Sequence, residues 1–172
     1  MKLIRWTLII LMVSALVNCS KDKEEEPDNN VNKSIVINEL LSKNSQYGSD
    51  EYDEFDDWIE LYNLANEDID LSGFYLTDSK NNLTKWKFPV GTMIQKNGYL
   101  IIWADGDSLQ SGLHTPYKLS ALGESVVLLS PEKVVIDQVK YPATDAEQSW
   151  ARKPNGTGSF SWATPTFGEV NE

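Results

Sequence analysis

The chain has 172 residues, a formal net charge of −11 and a single cysteine and a single histidine. That length suits one domain with a real core, and the acidity repels nucleic acid and anionic membrane surfaces over a Debye length. One cysteine forbids an intrachain disulfide, and one histidine excludes multi-histidine zinc sites.

Residues 1–18 read as a secretory signal. Lys2 and Arg5 form a positive n-region, and Trp6 to Val17 are apolar but short of the about 20 residues that a bilayer span requires. Leu16-Val17-Asn18-Cys19 closes the stretch and resembles the lipobox of bacterial lipoproteins. The resemblance implies cleavage before Cys19, lipidation of its thiol and a membrane anchor, since each buried methylene contributes about 0.8 kcal/mol. Lys21-Asp22-Lys23-Glu24-Glu25-Glu26 resembles the acidic export tags of Bacteroidota surface lipoproteins. The expected location is therefore the outer membrane, facing the cell surface. Residues 19–33 are too polar to bury surface and read as a disordered acidic tether.

From Ser34 to Glu172 short apolar runs alternate with Gly, Pro, Asn and Asp clusters, the pattern of an all-β sandwich of about eight or nine strands. The expected strands are Ile35–Leu40, Trp58–Tyr62, Gly73–Thr77, Lys85–Phe88, Tyr99–Trp103, Tyr117–Ser120, Ser125–Leu129, Val134–Tyr141 and Ser149–Arg152. Tyr99–Trp103 and Val126–Leu129 are apolar on both faces and read as central strands. Lys96-Asn97-Gly98 reads as a turn and Ser130-Pro131-Glu132-Lys133 as a hairpin loop. Lys153 to Phe167 reads as an ordered loop pinned by Phe160, Trp162 and Phe167.

An ordered set of short motifs runs through this region. It comprises Val36-Ile37-Asn38-Glu39-Leu40, Asp57-Trp58-Ile59-Glu60-Leu61-Tyr62-Asn63, Asp70-Leu71-Ser72-Gly73-Phe74-Tyr75-Leu76-Thr77, Phe88-Pro89-Val90-Gly91-Thr92, Ser149-Trp150-Ala151-Arg152-Lys153-Pro154 and Pro165-Thr166-Phe167-Gly168. Together they resemble the lamin-tail domain in its bacterial secreted form, over about Ser34 to Asn171. The resemblance implies an immunoglobulin-like β-sandwich and a non-catalytic binding or attachment role. It transfers no functional residue.

Two acidic constellations carry candidate chemistry. Asp50, Glu51, Asp53, Glu54, Asp56, Asp57 and Glu60 crowd one stretch, with no basic residue between Lys43 and Lys80. A solvated loop is the plain reading of such a charge block. Calcium, which takes six to eight oxygen ligands in flexible loops, is the alternative, with Asp50, Asp53, Asp56 and Asp57 as the expected ligands. Asp105-Gly106-Asp107 has similar chemistry but reads as a turn after a strand.

Glu39 and Glu60 lie among apolar residues of adjacent strands. Two facing carboxylates suit glycoside hydrolysis, but an ion pair of one of them with Arg152, the sole arginine after Arg5, is the simpler expectation. His114 reads as a surface loop residue, and no nucleophile elbow or phosphate loop accompanies it. The reading that emerges is a surface-anchored interaction domain for a protein or glycan partner, without catalysis, nucleic acid or an obligatory cofactor. A calcium-stabilised adhesion module and a carboxylate hydrolase are the alternatives.

Overall fold

A computed structural model describes residues 34–144 and 147–171. The signal sequence expected over residues 1–18, the lipidation expected at Cys19 and the acidic tether expected over residues 19–33 lie outside the described residues. No described helix is long and apolar enough to cross a membrane.

The described elements are eleven strands: β1 (Ile35–Leu41), β2 (Trp58–Asn63), β3 (Ile69–Asp70), β4 (Tyr75–Thr77), β5 (Trp86–Lys87), β6 (Met93–Ile94), β7 (Tyr99–Trp103), β8 (Ser125–Leu129), β9 (Val135–Lys140), β10 (Ser149–Lys153) and β11 (Ser159–Ala163). They form a five-stranded sheet in the order β11-β10-β1-β2-β7, a four-stranded sheet β5-β4-β8-β9 and a small β3-β6 ribbon. All ladders are antiparallel. The fold is an all-β, immunoglobulin-like sandwich. One core, containing Ile35, Ile37, Leu40, Ile59, Leu61, Leu76, Val126 and Leu128, is shared by strands of the two larger sheets.

The count exceeds eight or nine because β3 and β6 are two-residue strands, too short to show an apolar period, and because β11 lies inside the stretch expected to be a loop. In β11 the alternation is weak, since Ser159 and Ser161 face solvent while Phe160 and Trp162 are half-buried. Trp150 stacks on Phe160 and meets Trp162 edge-on, which ties β11 to β10. Tyr117–Ser120 forms no strand; only an isolated bridge joins Lys118 to Asp105. Tyr99–Trp103 is an edge strand rather than a central one. Its apolar character reflects cover from the following loop, whose Leu113 and Thr115 bond the Trp103 backbone.

Turn chemistry follows the residues. Asn97 takes φ 51° in the Lys96-Asn97-Gly98 turn, and Lys133 takes φ 66° in the β8–β9 hairpin.

A bulge in β1 positions the acidic residues of the sheet. The register shifts between Ile37 and Glu39, so the inward set runs Ile35, Ile37, Leu40. Glu39 and Leu41 then share the outer face with Trp58 and Glu60, their cross-strand partners. That face is covered by the chain's own end. Phe167 packs edge-on against Trp58 and at a tilt against Trp103 in a second cluster with Leu41. Gly48 is required there, because a Cβ would lie 2.4 Å from the Phe167 ring.

Candidate functional site

The connection from β1 to β2 carries the acidic run, and the connection from β7 to β8 folds back against it. Asp50 is the pivot. Its Oδ1 accepts the Tyr52 and Glu54 amide N–H groups, both at 2.8 Å, which closes a tight turn with Asp53 at φ 62°. Its Oδ2 is buried and accepts no hydrogen bond. Asp50 as a whole is 7% exposed, an unusual position for an incompletely satisfied carboxylate.

Asp105 approaches from the second loop. Its Oδ1 accepts the Asp107 N–H at 2.9 Å, with Gly106 at φ 77°, so the expected turn forms. Its Oδ2 is paired at 2.5 Å with Nδ1 of His114. The Nε2 of His114 faces the Glu51 carboxylate at 3.5 Å. Burial alone would lower the His114 pKa, but the hydrogen bond and charge of Asp105, then those of Glu51, hold it above its usual value. His114 is 3% exposed, so the expectation of a surface histidine is corrected. Its place is fixed by the parallel bridge to Trp103, which seats it under the acidic loop.

One ligand atom each from Asp50, Glu54 and Asp56 lies within 4.8 Å of the others, and Asp50, Asp105 and His114 form a second such group. A cleft of about 410 Å³ opens here, lined by Glu54, Phe55, Asp56, Asp105, Asp107 and Lys118. Asp56 is raised above the usual carboxylate range by burial first, against the nearby Lys118, and then by the charges of Asp105, Glu54 and Asp50.

Of the four ligands expected from sequence, Asp50 and Asp56 are brought together. Asp53 is exposed on the turn and belongs to neither group. Asp57 also belongs to neither; it accepts hydrogen bonds from the Asn44 and Leu119 backbone, and burial pushes its carboxyl up to about 7. Glu54, Asp105 and His114 were not among the expected ligands. The Asp-Gly-Asp turn after β7 was the one signal for Asp105, and nothing local in the sequence says that its loop returns to β1–β2.

Glu39 and Glu60 face each other across β1 and β2, and both are fully buried. Thr166 donates its N–H to Glu39 Oε1 at 3.1 Å and its hydroxyl to Oε2. Asn38 Nδ2 donates to Glu60 Oε1 at 2.8 Å, and the Gly168 N–H to Oε2 at 2.7 Å. Burial raises Glu39 above its ordinary value despite bonds from Ser149 and Thr166. Burial likewise pushes Glu60 up to about 7, with Asn38 and Gly168 opposing and Glu39 reinforcing the shift. Every oxygen of the pair is engaged by the protein, so no substrate oxygen has access to them.

The expected ion pair of Arg152 with Glu39 or Glu60 is corrected. Ala151, not Arg152, is the cross-strand partner of Glu39, so strand alternation sends Arg152 to the opposite face. There Arg152 Nη2 pairs with Asp137 Oδ2 at 2.8 Å, Nε donates to Ile37 O at 2.8 Å and Nη1 to Gly158 O at 3.3 Å. The guanidinium lies 4.5 Å from the Phe160 ring centroid. Asp137 Oδ2 also accepts the Ile37 N–H. Arg152 and Asp137 thus complete both backbone bonds of Ile37 beside the bulge, beyond the end of the β1–β10 ladder.

A family model described as Lamin Tail Domain matches residues 29–143. No curated protein matches the chain. Strands β10 and β11 lie beyond the matched segment, yet β10 pairs directly with β1.

Proposed function

The chain belongs to the lamin tail domain family, and on that premise we propose that it is an outer-membrane lipoprotein, anchored through Cys19, whose sandwich is a non-catalytic interaction domain for a protein or glycan at the cell surface. The anchor rests on the lipobox-like Leu16–Cys19 and the acidic run after it. The observation that carries the non-catalytic half is the sealing of Glu39 and Glu60. A retaining or inverting glycosidase needs two carboxyl groups open to the scissile bond. Here Thr166, Asn38 and Gly168 hold them shut. Strand β9 is an edge of the four-stranded sheet, with Val135 at its start and Val134 just before it half exposed, a geometry suited to adding a strand from a partner.

The test is metabolic labelling of the full chain with an alkynyl fatty acid, together with protease accessibility on intact cells. Label that is lost in Cys19→Ser, with the domain cleaved from outside, supports the reading. An unlabelled chain refutes the anchor, and glycan hydrolysis abolished by Glu60→Gln refutes the non-catalytic assignment.

A further inference from the structure

We propose that Asp50, Glu54 and Asp56, with Asp105 on the facing loop, bind a calcium ion. Acidic residues on an exposed loop are common without a metal, and clustering alone decides nothing. The deciding observation is Asp50 Oδ2. It belongs to a residue 7% exposed, is itself buried and meets no donor. Its sister oxygen is spent on the Tyr52 and Glu54 amides, which fixes the carboxylate's orientation. A buried carboxylate oxygen without a donor is destabilising unless something positive faces it. Asp50 is also the one residue common to both ligand groups, so it stands where the two loops converge.

The remaining donors are oxygens. Glu54 and Asp56 lie within ligand-sharing distance of Asp50, and Asp105 lines the same cleft as both. Gln110 donates its Nε2 to Glu54 Oε2 at 3.0 Å, and its Oε1 is buried without a partner. The only side-chain cation lining the cleft, Lys118, is 67% exposed and 3.8 Å from Asp56, placed to swing out into water. Hard carboxylate and amide oxygens on two loops, around a cleft roomy enough for coordinated water, match calcium's irregular shell of six to eight ligands. Magnesium requires a stricter octahedron and parts with its water reluctantly. Zinc would favour the imidazole, but His114 lies outside the Asp50–Glu54–Asp56 group; its Nδ1 is held by Asp105 and its Nε2, buried without a hydrogen bond, faces Glu51 at 3.5 Å, so the histidine acts as an outer partner that orients Asp105.

This inference does not depend on the anchor or on the partner. Its test is calcium titration of the full-length protein in detergent by calorimetry, with thermal melts in chelator and in millimolar calcium. One calcium should bind per chain and raise the melting temperature. Asp50→Asn keeps the turn-closing Oδ1 and should weaken calcium by more than about 100-fold, beyond the range of an outer-shell partner. Glu54→Gln, at an exposed position where folding is not at risk, should also weaken it. Asp53→Asn should bind as the wild type does. Absence of binding at millimolar calcium overturns the proposal, as does equal weakening by Asp53→Asn. Preferential zinc binding that disappears in His114→Gln overturns it as well, in favour of a nitrogen-containing site.

Discussion

Glu60→Gln tests how the outer face of the five-stranded sheet is held. In the fold the carboxyl is pushed up to about 7, chiefly by burial, from an ordinary value of 4.5. The folded state therefore holds a proton between those limits that the unfolded chain has released. The associated stability is complete below about pH 4.5 and is lost as pH rises through 7. At about 1.4 kcal/mol per pH unit, that interval corresponds to about 3 kcal/mol. Glu39, Asp56, Asp57 and His114 are also raised in the fold and add to the same decline. The glutamine is neutral at every pH and matches the protonated carboxyl in shape. Its amide cannot accept from both Asn38 and Gly168, so it carries a roughly constant penalty of about 1 kcal/mol. Urea unfolding of both proteins in chelator, at pH 5, 6, 7 and 8, separates the two effects. The wild type should lose stability across the series, and the variant should gain about 2.5 kcal/mol relative to it between pH 5 and pH 8. Parallel curves would show that Glu60 titrates alike in both states, and the account of a proton held by burial would be wrong.

Substitutions at two further positions probe the elements beyond the matched family segment. Arg152→Ala should cost about 2–4 kcal/mol in urea unfolding, because it leaves the Asp137 carboxylate without its cation and the Ile37 carbonyl without its side-chain donor. Arg152→Lys should recover less than half, since an ammonium cannot span the three acceptors; full recovery would show that charge alone matters. Gly158→Ala would place a Cβ 1.8 Å from the Lys153 carbonyl oxygen, inside the β10–β11 hairpin. The expected result is a loss of more than about 3 kcal/mol together with a changed tryptophan near-ultraviolet signal from Trp150 and Trp162; an unshifted melt would contradict the tight turn.

The main strands were legible because their apolar content is concentrated. Ile35–Leu41, Trp58–Asn63 and Ser125–Leu129 each bury nearly every residue, and their bounds fall close to the expected ones. The two-residue strands were not, because two residues display no period. Arg152 was assigned the wrong partner for a single geometric reason. Sequence shows that an arginine and two glutamates lie in strands, but the face each takes depends on register. The bulge between Ile37 and Glu39, which sets that register, leaves no mark on composition. The acidic site was half legible for a similar reason. Asp50 and Asp56 sit close along the chain, whereas Asp105 and His114 arrive through a loop that pairs with Trp103.

The two acidic constellations illustrate how one residue type is sorted by its surroundings. Glu39 and Glu60 are sealed beneath Thr166, Phe167 and Gly168, and each oxygen has a protein donor. Burial outweighs the bonds donated to these carboxylates and favours retaining a proton, which removes the charge without an ion. Asp50 is also buried, though less completely, but one of its oxygens has no donor, and three further carboxylates lie around the same convergence of loops. Protonating one member would leave the others repelling, so a divalent cation neutralises the group more completely than protons do at neutral pH. The pairs also differ in access. Access to the first requires lifting the chain's end off Trp58 and Trp103, whereas the second opens onto a cleft beside an exposed lysine. Residues 164–171 therefore cover one acidic pair, whereas the carboxylates of the β1–β2 and β7–β8 loops line a cleft that is open to solvent.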